Sequence, residues 1–350
     1  AGGDTLFGGD GDDIIAGDGP AGFVVTWRSD DQDGSGSGIF AQRYDAAGVA
    51  AGAEFQINTE TDGNQRQPTV TSLTDGSFVV TWTSEAGQDG DSWGVFGQRF
   101  DASGSAIGQQ FQVNTYTTSY QGYPSVAPLA GGGFVVAWQS ANQDGSSGGI
   151  FGQRYDASGV ALDVPGTDPA TGEFQINTYT PGPQVVPSVA PLTDGGFVVT
   201  WQSLNQDGSG PGVFGQRYDA SGSAAGTEFQ INTYTTSYQG QPSVTSLADG
   251  GFVVTWQSLN QDGDGGGVFG QRYDAAGVAA GGEFQVNTHT TDFQDTSSVT
   301  SLTDGGFIVT WRSAGQDGSS SGVFGQRYDS SGIAVSGEFQ INTYTSGDQG

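Results

Sequence analysis

The chain offers few kinds of reactive side chain. Its 350 residues include no cysteine and no lysine, a single histidine (His289), nine arginines and 38 acidic residues. Ser-His and Cys-His nucleophile systems, lysine Schiff bases and histidine-rich zinc sites are therefore mostly unavailable. Carboxylate and guanidinium chemistry remains: cation ligation, acid-base work by a carboxylate pair, or recognition of a polar ligand by arginine. Both side-chain types are regularly spaced. A Gln-Asp-Gly core recurs six times and places Asp33, Asp89, Asp144, Asp207, Asp262 and Asp317. Six of the nine arginines (Arg43, Arg99, Arg154, Arg217, Arg272 and Arg327) occupy one slot, that of "VFGQRYD" at 323–329 and its near copies.

Two readings apply to the aspartates. Each can cap backbone N–H groups in a turn whose glycine is left-handed, or it can ligate calcium with help from Asp31, Asp91 and Asp264. Those extra carboxylates shift position between copies, and no acidic residue closes the loop as an EF-hand glutamate does, so a calcium site here would be weak or would borrow ligands. The arginine slot also divides. On an extended strand Arg327 shares a face with Val323, Gly325 and Asp329, which predicts a repeated ion pair or hydrogen-bond fork between neighbouring units. The alternative is a ring of ligand sites in which arginine, glutamine and tyrosine meet a sugar or carboxylate. His289 replaces the tyrosine found at Tyr116, Tyr179, Tyr234 and Tyr344 and reads as a loop residue.

A third acidic group stands at 2–19, "GGDTLFGGDGDDIIAGDG". Its second half fits the nonapeptide GGxGxDxUx, with Asp13 and Ile15 in the defining positions, and "GGDTLF" is a worn copy with Asp4 and Leu6 in register. The stretch resembles the RTX, or hemolysin-type, calcium-binding repeat. That resemblance implies Ca²⁺ held by oxygen ligands among Asp4, Asp10, Asp12, Asp13 and Asp18, and a location outside the cell or on its surface.

The elements that position these groups come from an internal repeat. Six "GFVVTW"-like segments carry Trp27, Trp82, Trp138, Trp201, Trp256 and Trp311, spaced by 55, 56, 63, 55 and 55 residues. Each unit reads as four short strands, "PSVTSL", "FVVTW", "VFGQRYD" and "EFQINT", joined by "DGG", the Asp/Gly/Ser loop and "ASG". Four strands per unit make a propeller blade, so the fold expected is an all-β, six-bladed β-propeller over 20–350. The "DGG" predicts a two-residue hairpin turn. Both faces of "FVVTW" are apolar, as a strand between two neighbours requires. The first "FVVTW" lacks a "PSVTSL" before it, and the apolar pair Ile14 and Ile15 predicts that residues 12–16 supply that strand and close the ring, within a segment at 1–19 that also carries the RTX-like motif. An insertion near 161–172 reads as exposed loop.

A net charge of −29 repels phosphate backbones and anionic lipid, which argues against nucleic acid and membrane partners. No apolar run is long enough to cross a membrane as a helix, and the start at Ala1 without a basic and apolar leader reads as a mature product or an excised fragment. Near-identical units suit repeated weak binding to a multivalent surface such as a glycan. The repeat style also resembles propeller regions of large secreted RTX-type proteins, including adhesins. The expectation is a calcium-dependent glycan- or surface-binding module that is not an enzyme. The alternatives are a structural scaffold or part of a larger assembly, and a polysaccharide-active enzyme using carboxylates.

Overall fold

The computed structural model describes residues 14–17, 22–85, 87–164 and 172–349. They form six antiparallel sheets, each with its strands in chain order from the inside out. The second blade shows the plan: Gln65–Ser72 innermost, then Phe78–Ser84, Gly94–Phe100 and Ala106–Gln112. The six-bladed propeller expected from the repeat is the observed fold.

The short segment Ile14–Gly17 is the innermost strand of the first blade. It pairs with Phe23–Asp30 with Ile14 opposite Thr26 and Ile15 opposite Val25. That register matches Thr69 opposite Thr81 and Val70 opposite Val80 in the second blade. The vacancy in the repeat is therefore filled by residues 14–17, where 12–16 was predicted, but the ring that this strand was expected to close stays open between blades six and one.

Both faces of the "FVVTW" strand are buried because each faces a different blade. Phe134, Val136 and Trp138 of blade three pack back onto Leu73, Val79, Val95 and Val113 of blade two. The same arrangement recurs between blades one and two, three and four, four and five, and five and six. The large residues sit on the backward face and smaller aliphatics on the forward one, so neighbouring blades interdigitate.

Two local expectations are corrected. The "DGG" turn is a three-residue loop, with the Leu192 N–H bonded to the Gly196 carbonyl and the Gly195 N–H to the Leu192 carbonyl. Only its first glycine is left-handed, at φ 89° for Gly195. The second is needed for contact, since a Cβ on Gly196 would lie 2.1 Å from the Tyr218 carbonyl oxygen. In the insertion, Ala161–Leu162 is a short strand pairing with Arg154 and Tyr155, and Val164 is buried in the core between blades three and four. Apolar contact there outweighs the loop character that Pro and Gly give the sequence.

Candidate functional site: the mouth of the axial channel

The expected site residues fall into three places. Asp4, Asp10, Asp12, Asp13 and Asp18 lie outside the described residues. The six Gln-Asp-Gly loops join the second and third strands of each blade and lie at one end of the propeller, beside the segments that lead into each next blade, as the bridges Trp93 to Tyr120 and Gly148 to Pro183 show. The six arginines lie towards the other end.

In those loops Oδ1 of each aspartate accepts from the backbone N–H two residues on, at 3.2 Å for Asp33 and Ser35 and 2.9 Å for Asp144 and Ser146. This is the turn-capping arrangement. Oδ2 points inward against the first glycines of the third strand, and among the described residues no three acidic or imidazole side chains gather in one place. The glutamine ahead of the aspartate has a role that the sequence did not disclose. Gln206 holds Oε1 of Glu228, while Oε2 of that glutamate accepts from the N–H and hydroxyl of Thr178 in the preceding blade, at 2.6 and 2.9 Å. Thr115 with Glu173, Thr233 with Glu283 and Thr288 with Glu338 repeat this clasp, and Gln110 replaces the glutamate opposite Thr59.

The arginines also tie blades together. Arg99 donates to the carbonyls of Ser158 and Ala157 in the next blade at 2.6 and 2.7 Å, and Arg272 to those of Ser331 and Ser330, both at 2.7 Å. Arg43, Arg154 and Arg217 reach the same turn. The fork is therefore as expected, but its acceptors are carbonyls. Where a carboxylate joins in, it is Asp194, Asp249 or Asp304 of the arginine's own blade. The aspartate two residues after the arginine caps its own turn instead. The Ser158 hydroxyl and the Val160 N–H, bonded to Asp156, hold that carboxyl below the usual range.

Beyond these ties, the units differ along their innermost strands. The innermost strands of blades two to six each break register near their start. The residue in the break has a positive φ without being glycine: Gln67 (55°), Tyr123 (51°), Val186 (53°), Gln241 (53°) and Thr296 (52°). Such backbone costs roughly 1–2 kcal/mol per residue, and for β-branched Val and Thr it is a true outlier. These bulges line the mouth of a cavity of about 310 Å³ on the propeller axis. The pair at each bulge differs between blades: Arg66-Gln67, Gly122-Tyr123, Val185-Val186, Gly240-Gln241 and Asp295-Thr296.

One side of the mouth is aromatic. Trp93, the tryptophan that belongs to none of the six slots, lies 5.6 Å from the ring of Tyr120, and Tyr120 lies 6.4 Å from Tyr123. The Arg66 guanidinium sits over Trp93 at 5.7 Å, within cation–π range. The N–H of Tyr123 donates to Gln67 Oε1 at 3.1 Å, which joins adjacent blades. Tyr123 is 42% exposed. Elsewhere on the mouth Asp295 accepts a fork from Arg312 Nε and Nη2 at 2.8 and 2.7 Å. It is the only carboxylate on the described innermost strands. Tyr238 donates to Gln202 at 2.8 Å, and burial together with the Asp295 charge pushes its hydroxyl up to about 12.

No protein-family model matches the sequence, and no curated relative does. Solved structures do match the fold. An α-L-arabinanase of Penicillium chrysogenum, complexed with arabinobiose, has a TM-score of 0.58 at 13% identity over 89% of this chain and 88% of its own. An α-L-arabinofuranosidase of Fusarium graminearum, in complex with an iminosugar inhibitor, has a TM-score of 0.58 at 12% identity over the same shares. A protein of unknown function from Dyadobacter fermentans has a TM-score of 0.57 at 10% identity over 88% and 90%. These likenesses establish a shared propeller fold, and they correct one expectation. The fold houses glycoside-cleaving enzymes, so the lack of Cys and Lys and the single His do not exclude catalysis here. The other support for that exclusion, units that are interchangeable, fails at the channel mouth.

Proposed function

We propose that the protein acts on a polysaccharide laid across the channel mouth, as a carboxylate-dependent glycoside hydrolase. The observation that carries this reading is the broken symmetry of the mouth. An arc of near-identical blades presents a different residue pair on each of five inner strands, every pair held by strained backbone, and strain of this kind collects at functional sites. Trp93, Tyr120 and Tyr123 supply aromatic faces for the apolar faces of sugar rings, and Arg66, Gln67 and Gln241 supply hydrogen bonds to hydroxyls. Asp295 places a carboxylate at the bulge of blade six, beside the mouth. Glycoside cleavage needs a second, and the loops around this end carry Glu85, Asp91, Asp264 and Asp292. Arabinan heads the choice of substrates because two fold neighbours are enzymes of arabinose-containing glycans.

Calorimetric binding and reducing-sugar release with linear arabinan, xylan and galactan test the reading. Asp295→Asn is expected to lower turnover by ~10²-fold or more, the scale of a lost acid-base group, with little change in Kd. Absence of binding to any glycan, or full turnover in Asp295→Asn, would overturn it.

A further inference from the structure

Five of the six places where blades can meet are built alike, and the sixth is not. On the forward face of blade six, Ile341 is 41% exposed, whereas Ile57, Val113, Ile176, Ile231 and Val286 in the same position are 2–3% exposed. Ile308, Val323 and Leu302 are half-buried where their counterparts are buried. On the backward face of blade one, Phe23, Val25 and Trp27 are half-buried, although the other five slot tryptophans are at most 1% exposed.

The polar ties repeat the asymmetry. Arg327, with no following turn in reach, pairs with Asp304 of its own blade. Among the described residues five threonines close forward clasps and Thr343 closes none. Glu54 of blade one is already held by Gln32, as the other clasp glutamates are held by theirs, and it meets no threonine. Both halves of a sixth interface are thus present, each in working order, and the arc of six blades does not bring them together.

We infer that blade six of one molecule docks onto blade one of a second copy, head to tail. The docking reproduces the interface used five times within the chain: Ile308, Val323 and Ile341 pack against Phe23, Val25 and Trp27, Thr343 clasps Glu54, and Arg327 forks onto the turn at 45–48. Because the two surfaces differ, the contact is heterologous and propagates into chains or rings of molecules. The charge of −29 per copy opposes it, so association grows with salt.

The chain has no cysteine, which permits a clean test. Thr343→Cys with Glu54→Cys is treated with a short bismaleimide, beside Thr288→Cys with Glu338→Cys, which reports an interface built within one chain. The expected result is a ladder of multimers for the first pair and an internally linked monomer for the second. An internally linked monomer from the first pair would mean that the ring closes on itself and would overturn the inference. So would no linkage at all from the first pair while the second links. Ile341→Asp, at a position already open to water, is expected to keep the melting temperature and abolish the larger species in light scattering at high salt. Unchanged association in that variant would also overturn the inference.

Discussion

Trp93 and Trp201 are the same residue type in opposite employment. Trp201 is fully buried between blades three and four, and Trp201→Ala should cost about 3–5 kcal/mol in urea unfolding. Trp93 stands half-open at the channel mouth, so Trp93→Ala should weaken glycan affinity by roughly 10-fold or more and shift stability by under about 1.5 kcal/mol, as paired titration and unfolding would show. Arg154 gives the reverse pattern. Lysine cannot reproduce its fork to the carbonyls of Ala220 and Ser221, so Arg154→Lys should cost about 1–2 kcal/mol and leave glycan affinity intact. From the sequence only the arginine half of this contrast was read: six of nine arginines in one slot point to structure. The seventh tryptophan, outside the six slots, was a signal left unread. The acceptors were not legible, because a carbonyl has no letter of its own.

At the level of strands and turns, the four-strand unit, the apolar double face of "FVVTW" and the first blade's borrowed strand all follow from residue type and spacing. The bulges do not. Gln, Tyr, Val and Thr carry no left-handed signature, so nothing in "RQPTV" or "DTSSV" announces a positive φ, and alignment on the shared "PSV" draws attention away from the variable pair before it. The glutamine–glutamate–threonine clasp was hidden for a related reason, since its members lie 22 and 50 residues apart. The strain is measurable at Thr296, which is exposed and at φ 52°. Thr296→Gly should raise stability by up to about 1 kcal/mol, the relief of the left-handed penalty less the extra chain entropy of glycine. A denaturation midpoint that falls instead would show that the threonine side chain holds the bulge.

Across the whole molecule, buried tyrosines set an alkaline limit. Burial first, and the charges of Glu173, Glu228, Glu283 and Glu338 second, raise the hydroxyls of Tyr155, Tyr218, Tyr273 and Tyr328 well above the ordinary value near 10. A raised folded-state value means that the unfolded chain loses its protons first. The associated stability is complete below about pH 10 and is lost as pH rises from there through the folded values. Absorbance at alkaline pH should show these tyrosines ionising together with unfolding. Calcium is a separate proposal resting on the RTX-like stretch at 2–19. Excess calcium should raise the melting temperature of the full chain beyond what magnesium does at equal ionic strength, and asparagine in place of Asp10 and Asp13 should remove that difference while asparagine at Asp207 should not.

The clasp also bears on how such a chain changes over generations. Its three members and the arginine fork are nearly the same at every blade junction, so a duplicated or deleted unit would meet neighbours that already fit it. Unequal recombination between the repeats would alter the number of blades without creating a foreign contact. The bulge pairs are the exception, since each differs from the rest and loss of its unit cannot be made good by a neighbour. Blade number is free to drift only until the five pairs at the mouth begin to work as a set, and from then on the least repetitive residues hold the count of the most repetitive ones.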